Sequence, residues 1–158
     1  MLDGNLPAET IAFLCENLRA PIVADPVSTA KAPRFASVLG RLAAIKPNLL
    51  EARALTGKQS PEDCAEALLR SGVGSVFLSL GAKGLLAASG EERVLLPCER
   101  TELVNATGAG DAATAAVVWA MVRGLDLAAA ARAAVMAGAI AAASEEASPP
   151  QLRAEKLL

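Results

Sequence analysis

A chain of 158 residues, 53% apolar and 20% charged with a formal net charge of −2, is long enough to bury one core without disulfides and too apolar to stay disordered. The near-neutral balance supplies no basic face for nucleic acid or an anionic membrane. With no histidine in the chain, His triads, His metal sites and His general bases are excluded, and acid–base chemistry falls to Asp, Glu, Lys or Cys.

In chain order, the opening residues around Asp3 lack a basic region followed by an apolar run, so no secretory leader is expected. Over Pro7 to Arg19, Ile11, Leu14, Cys15 and Leu18 recur at i, i+3, i+4 and i+7, which predicts a helix with one apolar face. PIVAD (21–25) reads as a buried strand ending in a carboxylate. PVSTAKAP (26–33) reads as a loop, followed by a helix over Arg34 to Ala43. A short strand, Ala44 to Lys46, is stopped by Pro47.

Asn48 with Glu51 three residues on is a capping box in all but the first residue type, and the helix it starts closes at Gly57. Ser60 as N-cap, Pro61 at the first helical position and Gly72 as the stop define the next helix. GSVFLSLG (74–81) is a strand and AKG a tight turn. LLAAS (85–89) pairs antiparallel with RVLLP (93–97) through Gly90. Two helices close the chain, Gly110 to Arg123 and Leu127 to Ala143, separated by Gly124. The second is alanine-rich and contains Arg132, a packed helix rather than a membrane span. SEEASPP (144–150) is a loose connection to a short tail. Strands alternating with helices predict one α/β domain, residues 1–158, with a mainly parallel sheet flanked by helices. Cys15, Cys64 and Cys98 are odd in number and follow no metal-ligand spacing, as expected of reduced thiols in a cytoplasmic protein.

In such a sheet, ligands bind beyond the carboxyl ends of the strands. Four stretches fall there: 25–31, 48–51, 81–84 and 107–111. Gly108 and Gly110 allow a sharp turn and close approach to a ligand, and the following helix aims unpaired N–H groups at that point. Asp111 in its first turn then stands ready to accept a proton from an attacking hydroxyl. An anion hole beside a base is what phosphoryl transfer to an alcohol needs. Two other readings of these residues stay open: an ordinary helix N-terminus, and a dinucleotide-binding fingerprint made by Gly108, Gly110 and Ala113. The fingerprint should open a βαβ unit, whereas two helices follow here. SLGAKG (79–84) can lay N–H groups and a lysine against phosphates or be a plain hairpin turn, and it is not a Walker A loop. Glu51, besides capping, can hold Mg²⁺ through waters.

Together these residues resemble the ribokinase-like (PfkB) carbohydrate kinase family. That family carries N-x-x-E, then T-x-G-x-x-G, then D-T-x-G-A-G-D. Asn48 to Glu51, Ser79 to Gly84 and Asn105 to Asp111 appear here in the same order. DPVSTAK (25–31), KPN-x-x-E (46–51) and the Asn-led signature are similar to its pseudouridine kinase branch. The resemblance runs over nearly the whole chain and covers the C-terminal, nucleotide-binding half of a typical member.

It implies a three-layer ribokinase-like fold and a cytoplasmic kinase that uses Mg²⁺ and ATP to phosphorylate the 5′-hydroxyl of pseudouridine or a related nucleoside or sugar. By the same resemblance Asp111 is the catalytic base and Gly108, Ala109 and Gly110 form the anion hole. Asn48, Ser79, Gly81, Lys83, Gly84 and Val135 meet the nucleotide, Glu51 the Mg²⁺ water shell, and Asp25, Ser28 and Lys31 the acceptor.

Two departures matter. Asn105 replaces the signature's leading Asp, which takes a charge from the family's monovalent-cation (K⁺) site and puts K⁺ dependence in doubt. The family's N-terminal half, with most sugar contacts and a β-lid, has no counterpart, which implies an exposed sheet edge. It also implies a protein partner or fused segment supplying that half or, as the alternative, a catalytically silent ATP-binding remnant.

Overall fold

The computed structural model describes residues 1–98, 104–105, 107–146 and 149–157. They fall into two compact units. The first comprises Met1–Leu80 with Leu86–Arg93, the second Gly81–Leu85 with Val94–Leu158.

In chain order the first unit holds β1 (Leu2–Asp3), α1 (Ala8–Asn17), β2 (Val23–Asp25), a 3₁₀ segment (Ala32–Arg41), β3 (Ala44–Ile45), α2 (Leu49–Thr56), α3 (Pro61–Arg70) and β4 (Ser75–Ser79). β5 (Leu85–Ser89) and β6 (Glu92–Leu96) follow, and the six strands lie in the sheet in chain order. β1, β2, β3 and β4 run parallel, with Ala24 opposite Ile45 and Ile45 opposite Val76. β5 and β6 are neighbours joined through Gly90 and Glu91, a connection so short that only an antiparallel pair can use it. The α/β class and mainly parallel sheet read from the sequence are present.

β4 explains why the sheet needs cover on both faces. Val76 and Leu78 enter a core shared with Ile11, Phe35, Val38, Ile45 and Leu68, while Phe77, pointing the other way, is equally buried. A strand apolar at every position is what a sheet buried on both sides requires.

The helix ends follow their chemistry. Asn48 caps α2, which closes at Gly57 with φ 70°. The Ser60 hydroxyl accepts from the Asp63 N–H at 3.0 Å, with Pro61 just inside α3. α1 buries Ile11 and Cys15 as its periodicity predicts, but Leu14 is only half-buried and Leu18 is exposed, because the helix stops at Asn17 and Leu18 is extended.

The expected helix over Arg34 to Ala43 is instead a 3₁₀ segment starting at Ala32 and ending at Arg41. Pro33 removes an N–H donor at its start and Gly40 weakens helix propensity near its end. Burial of Phe35, Val38 and Leu39 holds it in place. β1 has no counterpart in the expected elements, since two residues carry no periodicity to read.

The second unit is built on α4 (Ala109–Val122) and α5 (Leu127–Ala142). Ala112, Ala116, Ala133, Ala137 and Ala141 form its buried centre, and Leu157 packs onto it from a tail that includes the 3₁₀ turn Ala154–Lys156. Asp126 caps α5, accepting the Ala129 N–H at 2.7 Å. Among the described residues no helix is long and apolar enough to cross a membrane. Cys15 and Cys64 are buried thiols and Cys98 is exposed, none of them in a disulfide.

Candidate functional site

The parallel register decides what meets at the carboxyl ends of the first unit's strands. Because Ala24 lies opposite Ile45, the next residues, Asp25 and Lys46, emerge side by side. Lys46 Nζ lies 3.5 Å from Asp25 Oδ2, and the two residues are 4% and 6% exposed. Burying two charges costs several kcal/mol per ion, of the order that only a close pair offsets.

Glu51, also 4% exposed, sits beside them at the third position of α2. Its Oε2 accepts the Asn48 N–H at 2.8 Å and its Oε1 accepts from Asn48 Nδ2 at 2.8 Å, while the Glu51 N–H donates to Asn48 Oδ1 at 2.9 Å. The capping box read from the sequence is therefore complete, with Asn in the Ser/Thr role. Burial pushes the Glu51 carboxyl above its ordinary range, against the pull of the Asn48 N–H and the Lys46 charge, and the Asp25 charge adds to the rise. Ser79 joins the group from β4: it bridges to Asn48, and its N–H donates to Pro47 O at 2.9 Å.

The loops leaving β1 and β2 interlock at the same edge. Lys31 Nζ donates to Asn5 Oδ1 at 2.6 Å, and Arg34 Nη1 to the carbonyls of Gly4 at 2.8 Å and Leu6 at 3.1 Å. The Gly4 N–H reaches Asp25 O at 2.9 Å. After Asp25 the chain makes a γ-turn. The Ser28 N–H donates to Pro26 O at 2.8 Å across Val27, whose φ is +68°. That conformation costs a β-branched residue on the order of 1–3 kcal/mol. Asp25 Oδ1 braces the turn by accepting the Val27 N–H at 2.9 Å.

Of the acceptor and nucleotide residues expected from the sequence, Asp25, Ser28, Lys31, Asn48, Glu51 and Ser79 thus belong to the first unit. Asn5 and Arg34 are additions that motif reading misses, and Lys46, quoted above only as the first residue of KPN-x-x-E, acquires a partner. The signal for Lys46 was its place directly after a strand, where the register sets it beside Asp25.

The second unit holds Gly81, Lys83, Gly84, Gly108 to Asp111 and Val135. Gly81–Lys83 is a single 3₁₀ turn with Lys83 exposed, the tight turn that AKG predicts. Gly84, at φ +98°, lies so close to Leu96 O that no Cβ fits there. Gly108 is left-handed, at φ +86°, and opens α4 with no side chain capping it. The first-turn N–H groups of α4 are therefore not claimed by a side-chain cap, and Asp111 stands exposed among them.

Asn105 Oδ1 accepts the Thr107 N–H at 2.9 Å, and Nδ2 donates to Glu145 O at 3.3 Å, so Asn105 orders the approach to α4. Ala106 lies outside the described residues. Val135 is half-buried on α5, one turn before Gly138, whose bare Cα lets the Ala109 carbonyl approach. Among the described residues no three Asp, Glu, Cys or His side chains gather as a metal-binding group.

The model of the pfkB family carbohydrate kinases matches residues 7–154, nearly the whole chain. The chain belongs to the pfkB family. Membership sets aside the dinucleotide-binding reading of Gly108, Gly110 and Ala113. Among family relatives, a 1-phosphofructokinase of Rhodobacter capsulatus is 36% identical over 140 residues, covering 83% of this chain and 44% of its own length. The pseudouridine kinase of Escherichia coli strain K12 is 31% identical over 158 residues, covering 95% and 50%. A ribokinase of Thermotoga maritima superposes with a TM-score of 0.81 at 27% identity, over 92% of this chain and 50% of that one. The ribokinase-like fold is thereby shown, and the chain spans about half the length of these pfkB relatives.

Proposed function

We propose that residues 1–158 form one functional domain, the nucleotide-binding and phosphoryl-transferring half of a pfkB kinase, acting on the 5′-hydroxyl of a nucleoside or sugar. The observation that carries this reading is the start of α4, where a left-handed Gly108 leaves first-turn N–H groups uncapped by a side chain and Asp111 follows at once. In the proposed reaction the N–H groups of Gly108, Ala109 and Gly110 stabilise charge on the transferring phosphoryl group, and Asp111 takes the proton of the attacking hydroxyl. Asn48, Ser79, Gly81, Lys83, Gly84 and Val135 hold ATP, and Asp25, Ser28 and Lys31 the acceptor.

Glu51 fits Mg²⁺ in its outer shell. Its two oxygens are already held by Asn48, and Mg²⁺ in kinases keeps waters and takes phosphates as its other ligands. When bound it neutralises phosphate charge. K⁺ is not required by this reading, because Asn105 brings no charge to that position.

Pseudouridine is the acceptor we favour, on DPVSTAK, KPN-x-x-E and the Escherichia coli relative. The 1-phosphofructokinase relative supports a sugar phosphate as the second reading. A fused segment or partner chain adds a lid over an acceptor site that residues 25–31 already hold, and the cytoplasm, where ATP and free nucleosides meet, is the compartment.

Calorimetric titration with a non-hydrolysable ATP analogue and Mg²⁺ tests the nucleotide site, and ADP release with pseudouridine or fructose 1-phosphate tests the chemistry. Saturable binding at one site with acceptor-dependent turnover is expected. Binding without turnover favours a silent remnant or a missing partner, and no binding by a folded chain ends the kinase reading.

A further inference from the structure

Eight described residues have positive φ; seven are glycines and the eighth is Val27. A β-branched side chain is the poorest choice for that conformation, and glycine would take it freely. Packing does not account for the valine: it is 40% exposed and lies outside the core cluster that β2 joins.

The turn is nonetheless held firmly. Asp25 Oδ1 accepts the Val27 N–H, Ser28 closes the turn onto Pro26 O, and Asp25 is itself paired with buried Lys46. Ser28 and Lys31 follow, with the Lys31 ammonium fixed by Asn5 at 2.6 Å. An apolar isopropyl group, a hydroxyl and an ammonium thus sit on one rigid stretch at the ligand edge of the sheet.

We infer that Val27 is a specificity-determining residue whose isopropyl group packs on the flat apolar face of the acceptor's ring, with Ser28 and Lys31 serving its polar rim. This rests on the reading of 25–31 as acceptor-binding, and it names the acceptor's class: a compound with a planar ring, such as a nucleoside, rather than a wholly hydroxylated sugar phosphate. The strained turn is retained because it sets the side chain, not because the fold needs it.

The test is calorimetric titration of wild type, Val27→Gly and Val27→Ala with the Mg²⁺-bound ATP analogue alone and then with pseudouridine added, beside thermal melts. Both variants should bind the analogue like wild type and lose about tenfold or more in pseudouridine affinity, the scale of removing methyl contacts from a binding pocket. Val27→Gly should melt no lower than wild type. Pseudouridine affinity within about threefold of wild type in either variant overturns the inference, given that scale. A loss confined to Val27→Gly also overturns it, assigning the effect to loop rigidity. A wild-type chain that binds the analogue but not pseudouridine overturns it too, while leaving the phosphoryl-transfer reading standing. A folded chain that binds neither overturns both.

Discussion

The proposed site residues are held in opposite ways in the two units. In the first, Lys46 pairs with buried Asp25 and exposed Asn48 holds buried Glu51, so their geometry is set before anything binds. In the second, Gly108 and Asp111 stand open at the start of an alanine-rich helix, with no side-chain cap on its first turn. Groups that grip a constant part of a substrate benefit from a rigid, dehydrated setting, where electrostatic interactions are strongest. A group that must exchange a proton is better left reachable. The contrast says that stability and chemistry separate along the chain, and mutation can show whether they do.

The largest expected effect is on chemistry alone. Asp111→Ala should lower kcat by about 10²–10⁴, the range for losing a general base, with almost no change in melting temperature because the side chain is exposed. An effect on turnover under about threefold would remove Asp111 from the reaction.

Lys46→Ala should do the reverse. Leaving Asp25 buried without its lysine costs about 3–5 kcal/mol, whereas Asp25→Leu with Lys46→Met should recover part of that loss, the brace on the Val27 turn being lost as well. Urea melts of the single and double variants read the difference.

Caps sharpen the comparison at lower energy. Asn48→Ala removes a cap and also takes the Nδ2 donor from Glu51 Oε1, leaving only the backbone N–H on Oε2, so it should cost about 2 kcal/mol. Asp126→Ala, which removes only a cap from α5, should cost about 1 kcal/mol. Equal costs would mean that the capping box adds nothing to α2.

The smallest effect is a slope. Glu51 titrates above its ordinary value near 4.5, so between that value and the raised one the folded chain binds more protons than the unfolded chain. Its contribution to stability is full below the ordinary value and is lost as pH rises through the raised one. Subtracting the pH–stability curve of Glu51→Gln from that of wild type should leave a fall with rising pH in this window. A flat difference would place Glu51 in water.

Local chemistry made much of this visible from the amino acids alone. Asn48 with Glu51, Ser60 with Pro61, and Gly108 ahead of Asp111 each act within one turn of chain, and each stands where the spacing predicts. What stayed hidden depends on neighbours distant in sequence. Lys46 stands in KPN-x-x-E, but its pairing is hidden until the β2–β3 register sets it against Asp25. Asn5 and Arg34 acquire meaning only when the loop after β1 is laid on the loop after β2. Val27 gave no signal, because valine is no marker of a left-handed turn. The 3₁₀ segment carried helical spacing of Phe35, Val38 and Leu39, and periodicity cannot tell its tighter winding from an α-helix over so short a span.

The alanine seam between α4 and α5 has an evolutionary consequence. Alanine has no rotamers, so burying these five positions freezes no side-chain entropy. No long side chain interdigitates at these five positions, and Trp119, Met136 and Ile140 pack against them only as partly buried residues. Each methylene gained at Ala112 or Ala116 would therefore be met by movement of a whole helix rather than by rearranged side chains, carrying Asp111 with it. If Asp111 is the base proposed above, residues that never touch a substrate can reposition it in steps of a single carbon atom.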